Sequence, residues 1–205
     1  MAIDTYSELQ QAVIDWVNNP ELTQVVPSMI ALAEADLNRR LRLRQMLKRA
    51  TATLDGEFIT LPADWLEGKN VQLNTSPITV VQPASLAQVD ATRAAMSSGV
   101  PKIYAIFGSQ MDFAPPPSGT YQVEMIYYAA IPALSATNTS NWLLLAAPDL
   151  YLYATLAQTA PYLGEDARLA VWGTLREKLV ADLMLGDDKA SFGGGTPRMR
   201  IGGVG

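Results

Sequence analysis

Apolar positions recur at helical spacing near both ends of the chain and at every second position through its middle. Leu9, Val13, Trp16 and Val17 share one helical face. They follow Thr5 and Glu8, which match a capping box, where hydroxyl and carboxylate each satisfy an unpaired amide of the first turn. Asn18-Asn19-Pro20 ends that helix. Pro27 opens a longer one, with Met29, Ile30, Ala33, Leu37 and Leu41 spaced for burial and Glu34, Asp36 and Asn38 assigned to its polar face.

The period changes to two at Thr51. Thr51 to Leu61 reads as a hairpin around Asp55-Gly56, a pair suited to a type I′ turn. A turn at Leu61 to Leu66 carries Trp65 as an exposed or interfacial aromatic. Short strands are expected at Val71 to Leu73 and Ile78 to Val81, and a weak helix from Pro83 to Ala95 anchored by Leu86 and Val89. Ile103 to Phe107 and Met111 to Phe113 flank Gly108-Ser109, a second hairpin of the glycine-first type. Pro115 to Gly119 is a rigid loop. The strongest strand is Tyr121 to Tyr128, where Tyr121, Val123, Met125 and Tyr127 face one way.

Residues 129–140 form a polar loop leading back to helices. Asn141 is a suitable N-cap for a turn at Trp142, and Pro148 restarts a helix as far as Tyr162. Leu150, Tyr151, Leu152, Tyr153, Ala154, Leu156 and Ala157 cover almost its whole circumference, and a helix apolar all round is buried on all sides. In a chain this small, that predicts that part of the helix faces another subunit, with Trp142, Leu150, Tyr151, Tyr153 and Trp65 as candidate contacts. Gly164 breaks the run, and Glu165 and Asp166 begin an amphipathic helix with Leu169, Trp172, Leu175, Leu179 and Leu183 as its stripe and Gly186 as its stop.

The fold class is therefore α+β: an α-helical bundle core with an inserted β-rich, hairpin-bearing subdomain and an extended C-terminal tail. The expected divisions are residues 1–50 and 132–190 for the bundle, 51–131 for the insertion and 191–205 for the tail.

Hydrophobic content of 49% with 17% charge is ample for a core, and a net charge of −5 makes the molecule as a whole no counter-ion for nucleic acid. One segment runs against that balance. Arg39, Arg40, Arg42, Arg44, Lys48 and Arg49 place six of the 15 cations within eleven residues. A solvated helix end is one reading; a patch for phosphate or an acidic protein surface is the other. Leu41, Leu43 and Leu47 interleave with the charges, and no aromatic lies among them to stack on bases.

The chain has no cysteine and no histidine, which removes disulfides, thiolate metal sites and the usual nucleophile–base pairs. Gly193-Gly194-Gly195 follows a helix and precedes none, so it lacks the setting of a phosphate loop. No catalytic residue, metal site or cofactor is expected. Neither a signal peptide nor a membrane span is read, and the chain is expected to be soluble and intracellular. The glycine-rich tail alone reads as a coil. Phe192, Pro197, Arg198, Met199, Arg200 and Ile201 suit an extended peptide laid on a partner's surface.

Residues 26–42 (VPSMIALAEADLNRRLR), 50–67 (ATATLDGEFITLPADWLE) and 141–154 (NWLLLAAPDLYLYA) resemble the adaptor proteins of the head-to-tail connector in tailed bacteriophages. The resemblance implies a structural protein in the neck of the virion, assembled in the host cytoplasm. It implies a homo-oligomeric ring, commonly of twelve subunits, beneath the portal protein. Such a ring extends the channel for DNA, without specific binding, and offers a platform to the next tail component (a stopper, nozzle or tail tube protein). It makes the six tail residues above candidate portal contacts. A tail-completion or other minor tail structural protein is the alternative, and a nucleic-acid-binding protein using residues 39–49 a further one.

Overall fold

The computed structural model describes residues 2–164 and 166–191. The chain is mixed α+β and divides into two compact units, one of residues 1–45 and 131–205, the other of residues 46–130.

The first unit is helical. α1 (Tyr6–Val17) starts on the Thr5–Glu8 capping box and ends at Asn18, whose left-handed backbone (φ 57°) closes the last turn. Leu9, Ala12, Val13 and Val17 are buried, while Trp16 is 47% exposed and meets Tyr153 edge-on at 5.8 Å. α2 (Val26–Arg40) buries Val26, Met29, Ile30, Ala33 and Leu37. After the loop of residues 130–141 come α4 (Trp142–Ala146), capped by the Asn141 side chain, and α5 (Pro148–Ala157); α3 belongs to the other unit. The helix expected to reach Tyr162 stops at Ala157. Thr155 and Thr159 turn their hydroxyls onto backbone carbonyls of Tyr151 and Leu156, and α6 (Ala160–Leu163) follows as a separate turn.

α5 corrects the expectation built on its composition. Leu150 and Tyr151 are 0% exposed and Leu152, Ala154, Thr155 and Leu156 are buried. α1, α2, α4 and α7 (Arg168–Ser191) all pack against this one ten-residue helix. A short central helix can be surrounded by neighbours of its own chain, so its apolar circumference gives no argument for a second subunit. α7 also outruns its expected stop. It passes through Gly186 to Ser191, burying Trp172 and Val180.

The second unit is two four-stranded sheets sharing a core. The first has the order β1 (Leu47–Leu54), β8 (Tyr121–Ala129), β3 (Trp65–Leu73), β4 (Thr79–Val80), with antiparallel pairs throughout. The second runs β2 (Phe58–Thr60), β7 (Gln110–Ala114), β6 (Ile103–Phe107), β5 (Gln82–Pro83). β8 alternates as its sequence dictates and buries Val123, Met125, Tyr127 and Ala129. These share a core with Ile59, Met111 and Phe113 from the other sheet and with Leu61, just past β2. α3 (Leu86–Ala95) lays Val89 over Ala105 and Ala114.

Asp55-Gly56 does not close a hairpin. β1 pairs with β8 and β2 with β7, so this turn carries the chain from one sheet to the other, and Gly56 is not among the positive-φ residues. The hairpin at Gly108-Ser109 does form: Phe107 pairs with Gln110, and Gly108 takes φ 59°. That is the glycine-first turn geometry.

Candidate functional site

Two buried polar residues of the helical unit, Glu34 and Asn141, belong to a network on α2. Both hydrogen bonds to Glu34 converge on Oε1: the Tyr151 hydroxyl donates at 2.9 Å and the Leu134 amide at 2.8 Å. Asn141 Nδ2 donates to the Tyr151 hydroxyl at 2.7 Å and to the Pro132 carbonyl, while its Oδ1 caps α4 at Leu144. Asn38 Oδ1 accepts from Ile131. The loop of residues 130–141 is thus pinned to α2 and α5 by side chains expected on a polar face. Burial raises the Glu34 carboxyl above its ordinary value, although the two donors pull it back; burial and the nearby Glu34 charge push the Tyr151 hydroxyl above the phenol range. Glu34 lies between Ile30 and Leu37 on the apolar stripe, and that spacing was the signal for its burial.

Five of the six cations of the basic stretch meet a carboxylate of their own unit. In the helical unit, Arg39 meets Asp36 at 3.4 Å. Arg40 places Nη1 2.8 Å from both oxygens of Glu177, Arg42 donates to the carbonyls of Asn38 and Leu41, and Arg44 pairs with Asp187 at 2.9 Å. Arg176 on α7 joins this set through Asp36 and Glu177. Hydrogen bonds from Arg40 and Arg176 hold the Glu177 carboxyl below its usual range. In the β unit, Lys48 pairs with Asp64 at 2.6 Å and Arg49 with Glu124 at 3.5 Å. The acidic partners of Arg49, Arg40 and Arg44 lie 75, 137 and 143 residues away and were not readable from local sequence.

Trp65 is half-buried and stacks on Tyr127 with centroids 4.8 Å apart. A Cβ on Gly68 would stand 3.1 Å from that indole, so glycine is what lets the ring lie flat across β3. Asp64 accepts from the Tyr127 hydroxyl at 2.8 Å. Burial works to raise the Asp64 carboxyl, but Lys48 and Tyr127 outweigh it and hold it below its ordinary value; burial and Asp64 push the Tyr127 hydroxyl up to about 12. Each group has a structural partner, and no cluster of three metal-ligating side chains occurs among the described residues.

Of the expected inter-subunit residues, Leu150 and Tyr151 are core. Trp142, Tyr153 and Trp65 are half-exposed. The expected portal contacts Phe192, Pro197, Arg198, Met199, Arg200 and Ile201 lie outside the described residues. Sequence reading missed the large apolar side chains that do face outward: Phe107 at 63% exposure with Ile106 and Phe58 in the β unit, and Leu145, Tyr162 and Val171 in the helical unit.

A family model described as the SU10 adaptor protein matches residues 4–200. The chain belongs to that family. The match covers both units and agrees with the resemblance read from residues 26–42, 50–67 and 141–154. No curated protein matches the chain. No helix among the described residues is long and apolar enough to cross a membrane.

Proposed function

We propose that the chain is the adaptor of a phage head-to-tail connector: a structural protein that forms a ring, joins the portal to the next tail component and extends the DNA channel. Membership of the adaptor family over residues 4–200 carries this reading. The exposed apolar side chains support it. A ring has heterologous interfaces and needs two different complementary surfaces per protomer. Phe107 and Phe58, which the strand register puts on one face of their sheet, supply one candidate surface; Leu145, Tyr162 and Val171, with the half-exposed Trp142 and Tyr153, supply another. The pairing of the cations suits a conduit, because a lumen of free arginines would hold the DNA backbone and slow its passage. In this reading Phe192, Pro197, Arg198, Met199, Arg200 and Ile201 contact the portal, the ring has the twelve copies common in such connectors, and no catalytic step is involved.

Native mass spectrometry and electron microscopy of the chain mixed with its cognate portal test the proposal. The expected product is a portal carrying one ring of this chain. A chain that neither oligomerises nor binds portal overturns it.

A further inference from the structure

Each sheet of the β unit has two outer strands, and the four differ in how they end the sheet. β4 and β5 are two residues long, β2 is three, and β5 contains Pro83, which has no amide to offer. β1 is eight residues long, about 26 Å, holds no proline, and pairs with β8 without a break in register. Short or proline-bearing edges are how sheets avoid unwanted pairing, so β1 is the edge left open. Its outward groups follow from the ladder. Asn74 donates to the Gln122 carbonyl and Ala130 to the Asp64 carbonyl, so even-numbered residues of β8 turn their backbone groups to β3 and odd-numbered ones to β1. Met125 and Val123 stand opposite Ala50 and Ala52, which therefore bond to β8. The amides and carbonyls of Arg49, Thr51 and Thr53 point away from the sheet, and no strand lies beyond them among the described residues.

We propose that this edge pairs with the β1 edge of a second copy, antiparallel about a two-fold axis at Ala52, joining two four-stranded sheets into one of eight strands. Charge selects the occupant. Arg49 lies near the start of β1, and Asp55 directly follows its end, exposed and without an ion-pair partner among the described residues. Paired residues must turn their backbone groups toward each other, so odd-numbered positions oppose odd-numbered ones. With Ala52 on the axis, Thr51 faces Thr53 of the second copy and Arg49 faces its Asp55, once at each end of the pair. Arg49 meets Glu124 at 3.5 Å with a side chain 67% exposed, so it is free to reach a second carboxylate. Antiparallel pairing also sends the two Arg49 side chains to opposite ends, where a parallel pair in register would set them side by side. This surface is distinct from the apolar ones of the proposed function. A ring that meets the portal on one side and another component on the other has no two-fold axis, so the pair belongs to free chains and opens as a ring closes.

Hydrogen exchange of the full-length protein without portal, read amide by amide by NMR at low and high protein concentration, tests the pair. The amides of Arg49, Thr51 and Thr53 should exchange at least tenfold more slowly at the high concentration, while those of Ala50 and Ala52, bonded to β8, are slow at both. Thr51→Pro removes an amide that faces away from β8; it should leave the thermal midpoint unchanged and abolish the concentration dependence. Asp55→Lys should raise the concentration needed for protection at least tenfold. If Thr51→Pro lowers the midpoint, Asp55→Lys, which touches no ladder bond, decides alone. Outward amides that exchange fast at every concentration overturn the proposal. So do outward amides protected at every concentration, which would mean that the chain covers this edge itself. Protection that a folded Thr51→Pro retains, or that Asp55→Lys leaves at the wild-type concentration, overturns it too. Portal capture is read separately: its failure strikes the connector reading and leaves the pair standing.

Discussion

The Tyr151 hydroxyl donates to Glu34 Oε1 at 2.9 Å across the interface of α5 and α2, and Leu134 donates to the same oxygen. One carboxylate oxygen therefore holds a core helix and a connecting loop together. Burial raises the folded-state value of this carboxyl above its ordinary 4.5. The native state binds the proton more tightly than the unfolded chain does, so this group's contribution is full below pH 4.5 and is lost as pH rises through the folded value. At neutral pH the buried charge is a net burden. Glu34→Gln keeps an oxygen for both donors and should be as stable as wild type or more so at pH 7, the difference shrinking toward pH 4.5. Tyr151→Phe should cost about 1–3 kcal/mol, by leaving a buried acceptor short of a partner. Urea midpoints between pH 4 and 8 measure both. A wild type that gains on Glu34→Gln as pH rises would reverse the sign argued here.

Local rules made part of this molecule legible. The Thr5–Glu8 box, the Asn141 cap, the alternation of β8 and the Gly108-Ser109 turn each depend on residues within a few positions of one another, and each formed where the pattern placed it. The misreadings share the opposite property. Asp55-Gly56 joins two strands that prefer other partners, and only the distant β7 and β8 decide that. Gly186 is a fair stop by itself, yet α7 continues past it, and Asp187 in the next position is tied to Arg44. Glu34 read as polar surface because its residue type outweighed its place on the stripe. The pairing of Arg40, Arg44 and Arg49 was likewise hidden, because their acidic partners come from distant parts of the chain.

Asp64 carries the corresponding prediction for the β unit. Its carboxyl lies below the ordinary 3.8, held down by Lys48 and Tyr127. Its stabilising contribution is present above 3.8 and lost as pH falls through the folded value. Asp64→Asn and Tyr127→Phe should each cost about 1 kcal/mol at pH 7, and the double variant should cost less than their sum because both remove one hydrogen bond. The loss from Asp64→Asn should shrink below pH 3.8. Denaturant unfolding followed through Trp65 reads this site, since the indole stacks on Tyr127.

Duplex DNA provides a third test. Six free cations meeting phosphates would give log K against log salt a slope of about −5, at roughly −0.9 per contact. Arg40, Arg44, Lys48 and Arg49 are each committed to a carboxylate in this fold. Fluorescence anisotropy with a short duplex should therefore show weak binding and a slope shallower than about −2. A slope near −5 that Arg40→Ala and Arg44→Ala flatten would restore the nucleic-acid reading.

Gly108 tests the one hairpin that formed as its residues dictate. At φ 59° an added Cβ is strained although nothing lies within 4 Å of it, so Gly108→Ala should cost about 1 kcal/mol through backbone conformation alone. Gly56→Ala, with open space and no positive φ, should change stability by less than about 0.5 kcal/mol. Equal losses at the two positions would mean the two turns share a geometry.

Leu150 and Phe107 separate folding from assembly. Leu150 is wholly enclosed by its own chain, so Leu150→Ala should cost about 2–5 kcal/mol in the unassembled protein, the lost transfer energy plus the cavity left among α1, α2 and α7. Phe107 is 63% exposed at a hairpin tip and has little protomer packing to lose. Phe107→Ser should move the unfolding midpoint of the free chain by less than about 0.5 kcal/mol. Its effect belongs to association, where burying an aromatic ring stabilises by about 1.5–3 kcal/mol per interface and recurs at each contact around a closed ring. Analytical ultracentrifugation should thus show Phe107→Ser folded but assembling only at concentrations at least tenfold higher than wild type. Assembly at wild-type concentration would remove the hairpin tip from the interface and leave the helical face of Leu145, Tyr162 and Val171 to supply it.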